Sequence, residues 1–216
     1  MNNDLIIILI SYLLGSIPTS IILSKVFGGI DIREHGSGNA GGTNVVRVLG
    51  WKIGIFVMII DVLKGTVATA WVSQMQLVNS NTVSIFDPFM LSVICGIAAI
   101  IGHVWTIFAK FRGGKGVATG MGMMIALSPI DISVGVIIFI IIVSITKYVS
   151  VGSMFGVASI VLSIFIRKNI FNAEIQGSEI LLWSTSLISL FIIFTHRANI
   201  KRLLSGTENK FSFKKK

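Results

Sequence analysis

The sequence has little of what a soluble enzyme usually displays. Charged residues make up 12% of its 216 positions, about half the ~25% of an ordinary soluble domain. Acids are scarcest, with nine Asp and Glu against 18 Lys and Arg. The single Cys95 excludes an internal disulfide and says little about compartment. No His or Cys pair stands at metal-ligand spacing, which argues against a zinc site. No Gly-x-Ser-x-Gly elbow is present, which argues against a serine-hydrolase nucleophile. No long polar stretch exists that could form a separate soluble domain.

What is present is mostly hydrocarbon. Hydrophobic residues are 53% of the chain and the mean hydropathy is +0.88. A membrane crossing takes about 20 apolar residues, fewer when neighbours cover the ends. Apolar runs near 4–26, 53–74, 87–108, 115–128, 130–147, 149–166 and 178–195 predict an all-α integral membrane protein of about seven spans, one multi-pass domain with a basic tail over 196–216. The block from 115 to 166 is nearly continuous, so five spans are an alternative. The first run carries Asp4 and no preceding positive charge, and it reads as a span rather than a cleavable signal.

Lys and Arg set the orientation, because they concentrate on the cytoplasmic side. With the N-terminus outside and the C-terminus cytosolic, the inner loops and tail hold Lys25, Arg33, Arg47, Lys52, Lys110, Arg112, Lys115, Lys147 and the seven basic residues from Arg197 to Lys216. The outer loops hold only Arg167 and Lys168. Five spans leave the termini on the same sides as seven, so charge does not separate the two counts. The net charge of +9 therefore reads as topology rather than nucleic-acid binding, and the terminal Phe211–Lys216 as a contact with anionic headgroups.

Three polar clusters interrupt the hydrocarbon, all on the expected inner side. In the first, Gly36-Ser37-Gly38-Asn39-Ala40-Gly41-Gly42-Thr43-Asn44-Val45-Val46-Arg47 packs four glycines, two hydroxyls, two amides and a guanidinium into twelve residues. Glycines let backbone N–H groups converge on an anion, and the planar Arg47 fork suits a phosphate or carboxylate. Gly36-x-Gly38-x-x-Gly41 matches the dinucleotide fingerprint, but a membrane helix precedes it where that fingerprint needs a strand. The second cluster, Phe111-Arg112-Gly113-Gly114-Lys115-Gly116-Val117-Ala118-Thr119, places Lys115 near a helix N-terminus, where anions are favoured. It is not a Walker loop: Ala109 stands where the first glycine is needed and Gly116 follows the lysine, so no ATP is expected. Arg112 reads as a plain interfacial anchor. The third cluster is His196-Arg197-Ala198-Asn199-Ile200-Lys201-Arg202, with His196 and Asn199 three apart on one helix face and Arg197, Lys201 and Arg202 reading as ordinary positive-inside residues.

Two further places bear charge within spans. Asp61 and Lys64 stand at i, i+3, and such charges are usually paired or functional. A buried ion pair near the inner mouth and a direct substrate contact are both open. His103, at the inner end of its span, either lines a site or caps the helix.

Together these clusters resemble the acyl-phosphate-dependent glycerol-3-phosphate acyltransferases of bacteria, the PlsY family. The resemblance covers nearly the whole chain. It includes Tyr12-Leu13-Leu14-Gly15-Ser16-Ile17-Pro18, the 36–47 stretch, Asp61-x-x-Lys64-Gly65, Gly102-His103, residues 113–119 and His196-Arg197-x-Asn199-Ile200. It implies a seven-helix fold in the cell membrane with a site facing the cytoplasm. It also implies transfer of an acyl group from acyl phosphate to the sn-1 hydroxyl of glycerol 3-phosphate, a step of phospholipid synthesis that needs no cofactor, metal or acyl-CoA. By motif position, Ser37, Asn39, Thr43, Arg47 and Lys115 would hold phosphate groups, and His196 and Asn199 would complete the pocket. Gly36, Gly38, Gly41, Asn44, Gly113, Gly114, Gly116 and His103 are the remaining candidate substrate contacts. The His–Asp dyad of many other glycerolipid acyltransferases is missing, because no His is followed five residues later by Asp. Two departures stand out. Gly42 replaces the family's usual Ala and predicts a looser loop, and Trp105-Thr106 stands near a usual proline. The competing function is a transporter of a phosphorylated solute, although no internal repeat is visible.

The orientation is open to labelling. In a chain with Cys95 replaced, a cysteine at Asn79 is expected to react with impermeant thiol reagents in intact cells, and one at Ser37 is expected to be protected. The opposite pattern would invert the topology.

Overall fold

The computed structural model describes residues 2–77 and 84–211. Asn79 and the terminal lysines 214–216 lie outside those residues. Among the described residues every regular element is helical: α1 Asn3–Ser16, α2 Thr19–Gly28, α3 Gly42–Leu49, α4 Trp51–Ala70, α5 Pro88–Val104, α6 Val117–Leu127, α7 Pro129–Thr146, α8 Val149–Asn169, α9 Ser178–Thr195 and α10 Arg197–Leu204. Short 3-10 turns occupy Ile32–Glu34, Val72–Gln74 and Ile107–Ala109.

Among the described residues six stretches are long and apolar enough to cross a membrane: Asn3–Gly28, Trp51–Gln74, Pro88–Ala109, Pro129–Thr146, Val149–Asn169 and Ser178–Thr195. The predicted span at 115–128 is present as α6, which has 11 residues. At 1.5 Å per residue it rises only about 16 Å, roughly half the hydrocarbon core.

Two boundaries differ from the sequence reading, and so does the effect of Gly42. The first predicted helix, 4–26, is two helices. Pro18 cannot donate to the helix ladder, and the chain restarts at Thr19, whose N–H reaches the Ile17 carbonyl at 2.9 Å. The predicted loop 36–47 is a loop only to Gly41, so Thr43, Asn44 and Arg47 ride on α3. Gly42 lies in the first turn of α3, where an added Cβ would stand 2.4 Å from Met58 Cγ. Its effect is therefore to seat Met58 close against the helix, not to loosen the loop.

The chain divides into two compact units, residues up to Leu127 and residues from Ser128. In the first, α1 packs on α5 and α4 on α6, and the crossings close on glycine. A Cβ on Gly102 would lie 2.2 Å from the Tyr12 carbonyl, and one on Gly65 would lie 2.0 Å from that of Thr119. Small residues at such crossings let backbones approach closely where lipid offers no hydrophobic drive to associate. One end of this unit is a compact apolar cluster, Ile21, Ile32, Ala40, Val45, Val57 and Ala109. These residues come from α2, the Ile32–Glu34 turn, the glycine loop, α3, α4 and the Ile107–Ala109 turn. The cluster is the floor on which the first two polar segments stand.

The Trp105-Thr106 departure is absorbed at the same end. Pro18 leaves carbonyls of the last turn of α1 without a helical donor. The Thr106 hydroxyl donates to the Ser16 carbonyl, and Tyr12 Oη donates to the Trp105 carbonyl at 2.9 Å.

In the second unit α7 packs against α8, and α8 against α9. Asp131, fully buried in the first turn of α7, is held by Ser163 Oγ at 2.5 Å, by Arg167 Nη1 at 2.6 Å and by the Ser128 hydroxyl. Removing one partner of a buried pair strands the other charge, typically at a cost of about 3–5 kcal/mol. Arg167 is 23% exposed, so the lower end of that range applies. Arg167→Met is expected to lose about 3 kcal/mol, read as a drop of several degrees in thermal unfolding in detergent. The double variant Asp131→Asn, Arg167→Met is expected to recover part of it. Equal stability of Arg167→Met and wild type would show that the pair does not hold the unit together.

Candidate active site

The glycine loop is shaped from within by one amide. Asn44, 1% exposed on the first turn of α3, accepts from the Ser37 N–H at 2.8 Å. Its Nδ2 faces the carbonyls of Ile32 (3.1 Å), His35 (2.9 Å) and Asn39 (3.1 Å). The side chain thus sews 32–39 onto the helix start. Gly36 is required twice: its φ is +61°, and a Cβ there would lie 2.3 Å from Asn44 Oδ1. Asn44, a candidate substrate contact from sequence, commits its amide to the loop backbone. Ser37, Asn39 and Thr43 are half-buried around it, and Arg47 is exposed one turn along α3.

Arg33 ties this loop to the second segment. Its guanidinium grips Asp31 through Nε (3.0 Å) and Nη2 (2.6 Å), and Nη1 donates to the Ala109 carbonyl at 3.1 Å. The Arg33 hydrogen bond beside it holds the Asp31 carboxyl down at about 2, against an ordinary 3.8. Because the native carboxyl titrates below its unfolded counterpart, the pair adds stability above about pH 4 and loses it as the pH falls towards 2.

Beyond Ala109 the chain reverses through two left-handed residues, Lys110 (φ 56°) and Phe111 (φ 58°). The reversal brings Gly113 N–H to the Val104 carbonyl at 3.0 Å and Gly114 N–H to the His103 carbonyl at 3.1 Å. Lys115, half-buried, follows directly, and α6 opens two residues later at Val117. Gly116 supplies the positive φ (85°) for that entry. Gly114 also abuts the first loop, since a Cβ there would lie 3.0 Å from the Ala40 carbonyl. The Ser20 hydroxyl donates to the same carbonyl at 2.8 Å.

Beneath the two segments is a small cavity whose polar lining includes Thr19, Ser20, Asp61, His103 and Thr106. Lys64 Nζ bonds Asp61 Oδ1 at 2.8 Å and the Ile17 carbonyl. His103 Nδ1 stands 3.7 Å from Asp61 Oδ1. Of the two readings of the Asp61/Lys64 pair, the geometry gives the buried ion pair, with Asp61 also bordering the cavity. His103 lines the cavity.

In the second unit His196 is buried, and its Nδ1 lies 2.8 Å from the Ile192 carbonyl. A carbonyl only accepts, so Nδ1 carries the proton. Asn199 Nδ2 donates to Glu208 Oε1 at 2.6 Å, Arg202 Nε donates to Oε2 at 2.7 Å, and Ser150 Oγ donates to Oε1 at 2.9 Å. Burial pushes the Glu208 carboxyl up, but these three bonds outweigh it and hold it below the usual carboxylate range. Glu208 was missed by sequence reasoning. Its signal was present: it is the only acid between Arg197 and Lys216.

The profile of the glycerol-3-phosphate acyltransferases matches residues 5–206. The chain belongs to the glycerol-3-phosphate acyltransferase family. A glycerol-3-phosphate acyltransferase of Chlorobaculum tepidum is 47% identical over the whole of both chains. Another, of Chlorobium limicola, is 42% identical over 98% of this chain and 97% of its own. The crystal structure of PlsY, an integral membrane glycerol 3-phosphate acyltransferase in its glycerol 3-phosphate form, superposes with a TM-score of 0.79 at 32% identity, covering 97% of this chain and 96% of that one. The lysophosphatidic acid form gives 0.77 at 31%. The family's integral membrane character extends to this chain, whose six long apolar stretches among the described residues account for it.

Within this family member, the Asn44 amide makes a direct prediction. Asn44→Ala removes the two amide N–H donors shared by three carbonyls and the acceptor of the Ser37 N–H, and a hydrogen bond is worth about 1 kcal/mol. It is expected to lower the thermal midpoint and cut turnover at least tenfold. Full stability and activity in that variant would mean that the loop takes its shape elsewhere.

Proposed function

We propose that this acyltransferase moves a fatty acyl group from acyl phosphate to the sn-1 hydroxyl of glycerol 3-phosphate, at the cytoplasmic face of the membrane. The hydroxyl oxygen attacks the acyl carbonyl carbon. The carbon–oxygen bond to phosphate breaks, and inorganic phosphate leaves with the electron pair. The hydroxyl proton passes to a substrate phosphate oxygen, and lysophosphatidic acid remains. Acyl phosphate is already activated, so positioning and charge stabilisation are sufficient tasks for the protein.

The observation that carries this reading is the meeting of two glycine-rich segments in one unit. Gly114 packs on the Ala40 carbonyl, each segment leads into a helix N-terminus, and each carries a cation, Arg47 or Lys115. Both substrates bear phosphate, and a helix N-terminus with a neighbouring basic side chain, as Lys115 gives before α6, suits phosphate oxygens, while Arg47 stands in the last turn of α3. Ser37, Asn39 and Thr43 supply further polar groups at the rim. His196 and Asn199 are assigned to substrate by the family resemblance.

Purified protein in micelles, given acyl phosphate and glycerol 3-phosphate, is expected to release phosphate only when both are present. Arg47→Lys is expected to raise KM for glycerol 3-phosphate about tenfold or more, because an ammonium cannot reproduce the bidentate fork. Vesicle uptake of a phosphorylated solute without turnover would overturn the proposal in favour of transport.

A further inference from the structure

His103 was expected among the substrate contacts or as a helix cap. Its surroundings give it another task. The ring is 9% exposed, at the end of α5, and its two sides do different things. On one side Nδ1 faces Asp61 at 3.7 Å, and Asp61 is pinned by Lys64, which is itself anchored on the Ile17 carbonyl. On the other side Nε2 stands against Gly114, where an added Cβ would come within 2.2 Å of it. The backbone of the same residue receives the Gly114 N–H at 3.1 Å. A Cβ on Gly113 would lie 1.9 Å from the His103 carbonyl oxygen.

We propose that His103 is a positioning residue: its imidazole, oriented by the Asp61–Lys64 pair, is the wall against which the Gly113–Gly114 turn is pressed, and so it sets where Lys115 is presented. The inference rests on the proposed acyl transfer, in which Lys115 meets phosphate. It assigns His103 no bond to substrate and no proton transfer. It also gives the two glycines different reasons. Gly113 is excluded from bearing a side chain by backbone, which cannot retreat. Gly114 is excluded chiefly by a ring, which a mutation can remove. No positive φ holds Gly114 to glycine, and the remaining 3.0 Å approach to the Ala40 carbonyl is relieved by a small shift.

The test is a double-mutant comparison on the full-length enzyme in micelles, with KM for glycerol 3-phosphate and kcat measured separately. Gly114→Ala and Gly113→Ala are each expected to raise KM tenfold or more, with a smaller fall in kcat. Adding His103→Ala to Gly114→Ala is expected to bring KM back to within about threefold of His103→Ala alone. Adding it to Gly113→Ala is expected to bring no relief. If both pairs behave additively, the ring does not set the turn and the proposal fails. If both are relieved, general loosening is the cause and it also fails. His103→Asn stops short of Gly114 while keeping an amide for Asp61, and it carries the same expectation should the alanine variant not accumulate. Loss of both as folded protein would mark His103 as a core residue and overturn the proposal. A wild type without two-substrate phosphate release would instead refute the acyl-transfer reading, a different outcome from additive variants of an active enzyme.

Discussion

A lysine ammonium inside a membrane helix has to find its countercharge within the protein, and Lys64 finds two partners. Asp61, one turn earlier on the same helix, meets the charge, and the Ile17 carbonyl accepts a hydrogen bond from a second N–H of the ammonium. That carbonyl is available because Pro18 interrupts the first span. The interruption, the ion pair and the orientation of His103 are therefore one arrangement. Without the break, Lys64 would keep Asp61 as its one acceptor of the two. Without Lys64, Asp61 would be a bare carboxylate at 2% exposure, a state that proteins avoid.

The polar segments above it are held with equally few groups. Asn44 closes the first loop with a single amide, Arg33 carries that loop to the second segment, and Gly113 and Gly114 are fastened to the end of α5. Groups that hold the loops are mostly buried, whereas Ser37, Thr43 and Lys115 are half-buried and Arg47 is exposed. Scaffold residues and the residues proposed to meet substrate are thus neighbours within one motif. Residue type alone cannot reveal that division, because Asn39 and Asn44 look alike in sequence.

Spans were legible because a hydrocarbon run of about 20 residues has the length that crosses a bilayer and little use in water. The clusters at 36–47, 113–119 and 196–199 were legible because glycine, amide and cation are conspicuous against that background. Helix α3 was not, since Thr43, Asn44 and Arg47 mask its apolar face, which shows only once Val45 is seen in the cluster with Val57. The role of Thr106 was also hidden, because it depends on a carbonyl 90 residues away. Glu208 could have been found by asking why one acid stands in a basic tail. The partners of Asp61 were half legible: Lys64 by spacing, His103 only by fold.

Asp131 has a consequence for how the second unit is made. Two of its three partners, Ser163 and Arg167, lie near the far end of α8. A nascent α7 entering the bilayer alone would carry a carboxylate with only Ser128 to answer it. The less costly route is for α7 and α8 to leave the insertion machinery together as a hairpin, with the acid and the arginine meeting before either faces lipid.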